Sequence, residues 1–337
     1  MLHLPILTGL SLKKWNKDMN EAKTKLRVVF MGSDSIACPA LETLCRDEGI
    51  EIIQIITQPD RPKGRRRRLA PCDLKAKAVE LELPVSSPEK IGEGAEEIAA
   101  LEPDLIVVVA YGQYIPGKVL EIPPLGAINL HPSLLPKYRG ASPIQEAVAH
   151  GETETGVTIL YVSREMDAGD ILAQKACAID PEENALELGQ RLAHRGAELL
   201  LEVVGQLRDG TAHARPQDDA LATYVHKIAK EDGRIDWTQD ARTINNRIRG
   251  YQPWPVCYTD IPVGENEKAP LRIYRAAVVE ELGTPGEVLC TKGDGPVVAA
   301  GKDALQLLDV QPPGKKRMSG RALVCGRYLQ DGMRLTD

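Results

Sequence analysis

Near the middle of the chain an asparagine and a histidine stand two apart, Asn129 and His131, in the run GAINLHPSLLPKYRG. On an extended strand, residues two apart leave the same face, so an amide and an imidazole point at one place. Two such donors suit an oxygen that gains negative charge during a reaction. Pro132 and Pro136 restrict the backbone that follows, as a preorganised site requires. Asp167 and Asp170, in MDAGD, occupy a turn between two apolar runs. A carboxylate there could reach the same cleft, orient His131 and favour its charged form. A plainer reading is a strand-end asparagine closing a turn, a surface histidine and an ordinary acidic turn. Spacing alone does not separate the two.

The elements that must carry these residues follow from hydrophobic patterning. LRVVFM (26–31), IEIIQIIT (50–57), LPV (83–85), DLIVVVAYG (104–112), GAINLH (126–131), TGVTILYVS (155–163) and ILAQKACAI (171–179) read as strands. Helical spacing fills the gaps between them, and a long amphipathic stretch at 183–207 closes the series. Alternation of near-continuous apolar strands with helices predicts an α/β domain over 26–207, a Rossmann-like, mostly parallel sheet covered on both faces. Ligands in such sheets lie beyond the carboxyl ends of the strands. Residues 208–222 lack apolar periodicity and read as a linker. Short strands split by Gly and Pro then predict a small β-barrel domain over 223–337.

Composition bounds the rest. The 337 residues are 43% hydrophobic and 27% charged, enough for two domains with cores. No apolar run approaches the roughly 18 to 20 residues of a bilayer crossing, so no membrane role is expected. The seven cysteines are scattered and form no C-x-x-C pair, which fits reduced thiols in a bacterial-type cytoplasm. No His, Cys or carboxylate grouping has metal-ligand spacing, so no metal is expected. Residues 1–25 precede the first strand and are read as an unstructured extension; organellar targeting by them stays open.

INLHPSLLPKYRGASPIQ, followed by Asp167 in MDAGD, resembles the 10-formyltetrahydrofolate-dependent formyltransferase family. FMGSDSIACPALETL, DLIVVVAYGQYIP and TGVTILYVSREMDAGDIL extend the resemblance over roughly 26–205. It implies that Asn129, His131 and Asp167 are catalytic, with 10-formyltetrahydrofolate as formyl donor and Ser133, Leu134, Leu135 and Pro136 in contact with the folate. DGRIDWTQDARTINNRIRGYQPWPVCY, TPGEVL and KKRMSGRAL resemble the landmarks of the family's carboxyl-terminal OB-like barrel. Cys72-Asp73 departs from the Ser-Pro-type pair of relatives, and the amino-terminal extension has no recognised counterpart.

Between Asp60 and Lys77 stand eight basic residues against two acidic ones, in a chain of formal net charge -6. A charge run of this kind is ordinarily a solvated face. Within the family, a basic loop after the second strand together with the barrel implies an acceptor amine carried by initiator methionyl-tRNA. Arg61, Lys63, Arg65, Arg66, Arg67 and Arg68 would then hold tRNA phosphates, with Lys315, Lys316 and Arg317 of the barrel as further contacts. The enzyme is expected to act as a monomer. Sugar formyltransferases, formyl-folate hydrolases and glycinamide ribonucleotide transformylases are rivals within the class, and none of them accounts for the arginines. A nicotinamide dehydrogenase is disfavoured because the first turn reads GSDSIACP rather than G-x-G-x-x-G. A non-enzymatic RNA-binding protein would show more stacking aromatics.

Overall fold

The computed structural model describes residues 25–63, 68–263 and 267–335, with Lys63 described by its backbone. Residues 1–24 of the extension read at 1–25, and Arg65, Arg66 and Arg67, lie outside the described residues. The chain forms two compact units. The first holds the described residues of Met1–Arg139, Gly156–Cys177 and Gly189–Tyr224; the second holds those of Gly140–Thr155, Ala178–Leu188 and Val225–Asp337.

The strands of the amino-terminal sheets are β1 (Leu26–Gly32), β2 (Ile50–Ile56), β3 (Arg61–Lys63), β4 (Arg68–Ala70), β5 (Val85–Ser86), β6 (Leu105–Val109), β7 (Ala127–His131), β8 (Arg139–Gly140), β9 (Glu154–Tyr161), β10 (Ile171–Ala178) and β11 (Tyr224–Val225). Among them run the helices α1 (Cys38–Cys45), α2 (Asp73–Glu80), α3 (Ala95–Ala100), α4 (Gly117–Leu120), α5 (Pro143–Ala149) and α6 (Ala185–Arg208). The main sheet has seven strands in the order β10-β9-β7-β6-β1-β2-β5. Its β5-β2-β1-β6-β7 portion is parallel and β9 pairs antiparallel to β7. This is the α/β, parallel-dominated sheet that the apolar runs predict.

The apolar run at 105–109 is buried at every residue, as a central strand covered on both faces demands. From β1 the chain moves outward to β2 and β5, then returns to β6 on the other side of β1. That reversal is the topological switch point, where open α/β sheets bind ligands. Three loops meet above it. Ser33 Oγ donates to the Tyr111 carbonyl (3.2 Å) and accepts from Gln58 N (3.1 Å), while Gln58 Nε2 donates to the same carbonyl (2.8 Å). On the far side of β7 from Asn129 and His131, Leu130 is buried beneath α6. A Cβ at Gly196 would stand 2.7 Å from Leu130 Cδ1, so the absent side chain lets the helix approach the strand that carries the site.

The basic stretch is a two-stranded hairpin at its described ends rather than the loop the sequence suggests. Arg61 pairs with Ala70, Pro62 with Leu69 and Lys63 with Arg68.

In the second unit an antiparallel sheet runs β12 (Cys257–Pro262), β13 (Lys268–Val279), β16 (Ala304–Gln311), β15 (Val297–Ala299), β14 (Val288–Cys290), and β17 (Met318–Ser319) pairs with β16. Its helices are α7 (Ala241–Gly250) and α8 (Gly320–Cys325). Trp237, Ile244, Ile248, Leu271, Ile273, Leu305 and Val310 form the core, and the Trp237 indole donates to Thr259 Oγ1 (3.1 Å). These short strands and the single long helix are the β domain read from the Gly- and Pro-split runs.

Asp240 caps α7. Its Oδ1 accepts from Thr243 N (2.9 Å) and its Oδ2 from Thr243 Oγ1 (2.6 Å), bonds that hold the carboxyl below its ordinary value of 3.8. A carboxylate depressed in the folded state stabilises above its unfolded value and loses that contribution as pH falls through the folded one. Asp240→Ala is therefore expected to lower the unfolding free energy by about 0.5–2 kcal/mol at neutral pH. In urea titrations the gap between wild type and variant should close as pH drops below 3.8.

Candidate active site

His131, the last residue of β7, is 4% exposed. Its Nε2 lies 2.9 Å from the Tyr138 carbonyl oxygen. A carbonyl only accepts, so Nε2 carries a hydrogen. Nδ1 faces Asp167 Oδ2 at 3.6 Å, an ion-pair separation when the ring is charged. Asn129 Nδ2 faces the other oxygen of the same carboxylate at 3.5 Å. The structure thus brings together all three residues that the sequence singled out. The two contacts to the carboxylate are longer than a well-made hydrogen bond. Loose separations of this kind are usual in sites that tighten around substrate.

Local backbone explains how they meet. Asn129 and His131 share a face of β7, and β9 pairs with that strand, Leu160 opposite Asn129 and Thr158 opposite His131. The turn after β9 delivers Asp167. Gly169 makes that turn possible, since a Cβ there would stand 1.8 Å from the Tyr161 carbonyl oxygen. Asp167 and Tyr138, which flank the imidazole, both have left-handed backbone, φ 53° and 61°. Aspartate tolerates this region, whereas a tyrosine there is an outlier. Such strain costs on the order of 1–3 kcal/mol per residue and clusters where surroundings over-determine a conformation.

The expected folate segment divides in two. The Ser133 hydroxyl is buried and donates to the Lys137 carbonyl (2.8 Å), and Leu135 is buried with Leu160 and Ile171. Leu134 and Pro136 are half-buried, and a Cβ at Gly156 would collide with Leu134 Cδ2. Gln174 Nε2 ties the segment down through the Leu135 carbonyl (2.8 Å) and Thr158 Oγ1 (2.9 Å).

Arg61 and Arg68 are exposed on the hairpin. A cleft of about 440 Å³ opens at the hairpin's base, lined by Arg61, Lys90, Gln113, Tyr114 and Pro116 among others, with Tyr114 71% exposed. Two neighbouring cations are neutralised locally: Lys75 pairs with Asp60 (2.8 Å), and Lys77 with Glu42 and Glu80 (both 2.9 Å). In the second unit Lys315 and Lys316 are exposed. Arg317 is held in a two-pronged contact by Asp309 and lies 4.2 Å from the Tyr274 ring centroid. Its charge is balanced where it stands, unlike that of the two lysines' open positions beside it.

Arg139 and Gln217 were not legible in the sequence as site residues. Arg139 is 1% exposed although arginine is rarely buried, and Gln217 falls in the stretch read as a linker. Among the described residues no group of three His, Cys, Asp or Glu could hold a metal, and no helix is long and apolar enough to cross a membrane.

A parallel-dominated sheet with an amide, an imidazole and a carboxylate facing one another, followed by an antiparallel β domain, defines a two-domain formyl transferase architecture. The profile described as "Formyl transferase" matches residues 26–204 and that described as "Formyl transferase, C-terminal domain" matches residues 227–328. The chain belongs to this family. It is 42% identical over 312 residues to the methionyl-tRNA formyltransferase of Geobacter metallireducens, covering 92% of this chain and 98% of the relative. It is 44% identical over 314 residues to that of Bacillus licheniformis, again covering 92% and 98%. Among solved structures it shares its fold with the N-formyltransferase from Helicobacter canadensis in complex with folinic acid and dTDP-3-aminofucose (TM-score 0.62, 17% identity, 84% of this chain and 99% of that one). It also shares its fold with HypX from Aquifex aeolicus in complex with tetrahydrofolic acid (TM-score 0.59, 21% identity, 90% of this chain), of which it spans about half, 48%.

Gly169→Ala is expected to displace the Asp167 turn, because the new methyl group meets main chain rather than a yielding side chain. Overpacking of this kind costs about 1–3 kcal/mol. A melting curve should register that loss, and turnover should fall by on the order of 10²-fold from misplacement of the carboxylate.

Proposed function

We propose that this protein transfers the formyl group of 10-formyltetrahydrofolate to the α-amino group of initiator methionyl-tRNA, giving N-formylmethionyl-tRNA for translation initiation. The reading is carried by the meeting of Asn129, His131 and Asp167 in a chain 42–44% identical to bacterial methionyl-tRNA formyltransferases over 92% of its length. A folate formyl donor suits this donor set: two N–H groups face one carboxylate, and half-buried apolar Leu134 and Pro136 follow His131 in the chain. When bound, the folate supplies a formyl group on a nitrogen that can leave.

Asn129 Nδ2 and His131 Nδ1 hold the formyl oxygen as it gains negative charge. The Tyr138 carbonyl fixes the ring through Nε2, so Nδ1 carries the proton that the oxyanion needs when the imidazole is charged. Asp167, 3.6 Å from Nδ1, orients that ring. It also receives the proton released when the amine nitrogen bonds to the formyl carbon, directly or through a water. That proton passes to the folate nitrogen as its bond to the formyl carbon breaks. The transfer needs no redox partner and no covalent bond to the enzyme.

The basic hairpin supplies the second half of the reading. Arg61, Lys63 and Arg65–Arg68 concentrate positive charge in the sequence that follows β2, Arg61 and Arg68 are exposed, and the acidic remainder of the chain limits indiscriminate RNA binding. Exposed Lys315 and Lys316 are secondary phosphate contacts, and Arg317 contributes less because Asp309 holds it. A cytoplasmic location is part of this reading, in keeping with the bacterial relatives.

Incubation with 10-formyltetrahydrofolate and methionyl-tRNA should yield formyl-methionine, and no product with either partner omitted; absence of product with both present sinks the proposal. Asn129→Ala should lower kcat by about 10² to 10³, the usual loss on removing one oxyanion donor. Replacing Arg65–Arg68 by alanine should raise KM for the charged tRNA and leave folate affinity near wild type. The same variant should flatten the log–log salt dependence of tRNA binding by roughly 0.9 per duplex phosphate contact removed. Unchanged tRNA kinetics would leave the hairpin without this role.

A further inference from the structure

The stretch read as a linker is pinned onto the loops that carry the site. Arg215 N and the Ile171 carbonyl are bonded, as are Ile171 N and the Arg215 carbonyl (both distances below 3.0 Å). Thr223 accepts from Arg139 N at its carbonyl and from Tyr138 N at its Oγ1, both at 2.8 Å. Between these anchors lies Gln217. Its Nε2 donates to the main-chain carbonyls of Asp167 (2.8 Å) and Gly169 (2.7 Å), the two ends of the turn that presents the carboxylate. Its Oε1 accepts from Arg139 Nε (3.1 Å) and Nη2 (2.8 Å).

Arg139 is buried, and its charge has further partners: Asp219 Oδ1 at 2.8 Å and the Tyr224 hydroxyl at 3.2 Å. Burial works against the charge, and these two partners outweigh it, so the guanidinium sits above its ordinary value. Arg139 directly follows Tyr138, whose carbonyl holds the imidazole. One relay therefore joins the loop that fixes His131 to the turn that fixes Asp167. A side-chain amide offers two donors on one end and an accepting oxygen on the other, and both ends are engaged here.

We propose that Gln217 and Arg139 are positioning residues for formyl transfer, setting the Asp167 turn against the imidazole. This rests on the role given to Asp167 above, and the test separates the two. Gln217→Glu keeps an oxygen for Arg139, and with it the attachment of the strap, but sets oxygen against the two carbonyls and releases the turn. Gln217→Met keeps the length and removes both donors. It carries the same test should the glutamate variant fold poorly.

Steady-state formylation of methionyl-tRNA by the full chain reads the outcome, together with melting temperature and folate affinity. Gln217→Glu is expected to lower kcat by about 10- to 100-fold, the scale of a misplacement near 1 Å, with both KM values, folate affinity and melting temperature near wild type. In an Asp167→Asn background, adding Gln217→Glu should cost nothing further, because residues acting as one unit are non-additive. A wild-type kcat for the single variants, or losses that multiply in the double variant, would overturn the positioning role while leaving the Asp167 reading intact. Full activity in Asp167→Asn alone would remove that reading and this one with it.

Discussion

An imidazole held from both sides is the constraint on which the rest of this structure turns. His131 has one ring nitrogen at a carbonyl and the other at a carboxylate, and the backbone at both holders, Tyr138 and Asp167, is left-handed. Left-handed backbone at a tyrosine survives only where neighbouring bonds over-determine it. Those bonds are present: Tyr138 N donates to Thr223 Oγ1, and the Asp167 carbonyl accepts from Gln217. The geometry of three side chains thus rests on main-chain anchors well outside the motif that contains them.

The sheet does the coarse positioning and the loops do the fine. Parallel pairing of β6 with β7 and antiparallel pairing of β7 with β9 fix where Asn129 and His131 leave the surface. Leu130 under α6 locks the strand from behind. Gly169 then lets the following turn touch the Tyr161 carbonyl, a contact no other residue could make without moving main chain. Each step is steric before it is chemical.

Charge is distributed with the same economy. Lys75 and Lys77 are balanced by carboxylates at 2.8–2.9 Å, whereas Arg61 and Arg68 stand exposed on the hairpin. Ion pairs of the first kind between partly exposed groups contribute little stability. Their consequence is that the unbalanced positive field is concentrated on the hairpin rather than spread along α2. Arg317 resembles the balanced lysines, so counting basic residues in sequence overstates the cationic surface of the second unit.

Much of this was determined by sequence alone. Period and length of apolar runs announced the parallel-dominated sheet, because a strand buried on both faces cannot alternate. Two-residue spacing placed Asn129 and His131 on one face, because side chains of a strand repeat every second residue. Contacts between distant segments were decided only in three dimensions. That Asp167 closes on His131 across 36 residues depends on strand order and on one glycine's approach to a carbonyl. The described ends of the basic stretch pair through cross-strand bonds that charge pattern does not encode. Residues 208–222 read as a linker because polarity without periodicity looks the same whether a segment is solvated or hydrogen-bonded to folded neighbours. Gln217 and buried Arg139 lie in that blind spot, since a polar side chain's partner is chosen by the fold and leaves no periodic trace in the chain.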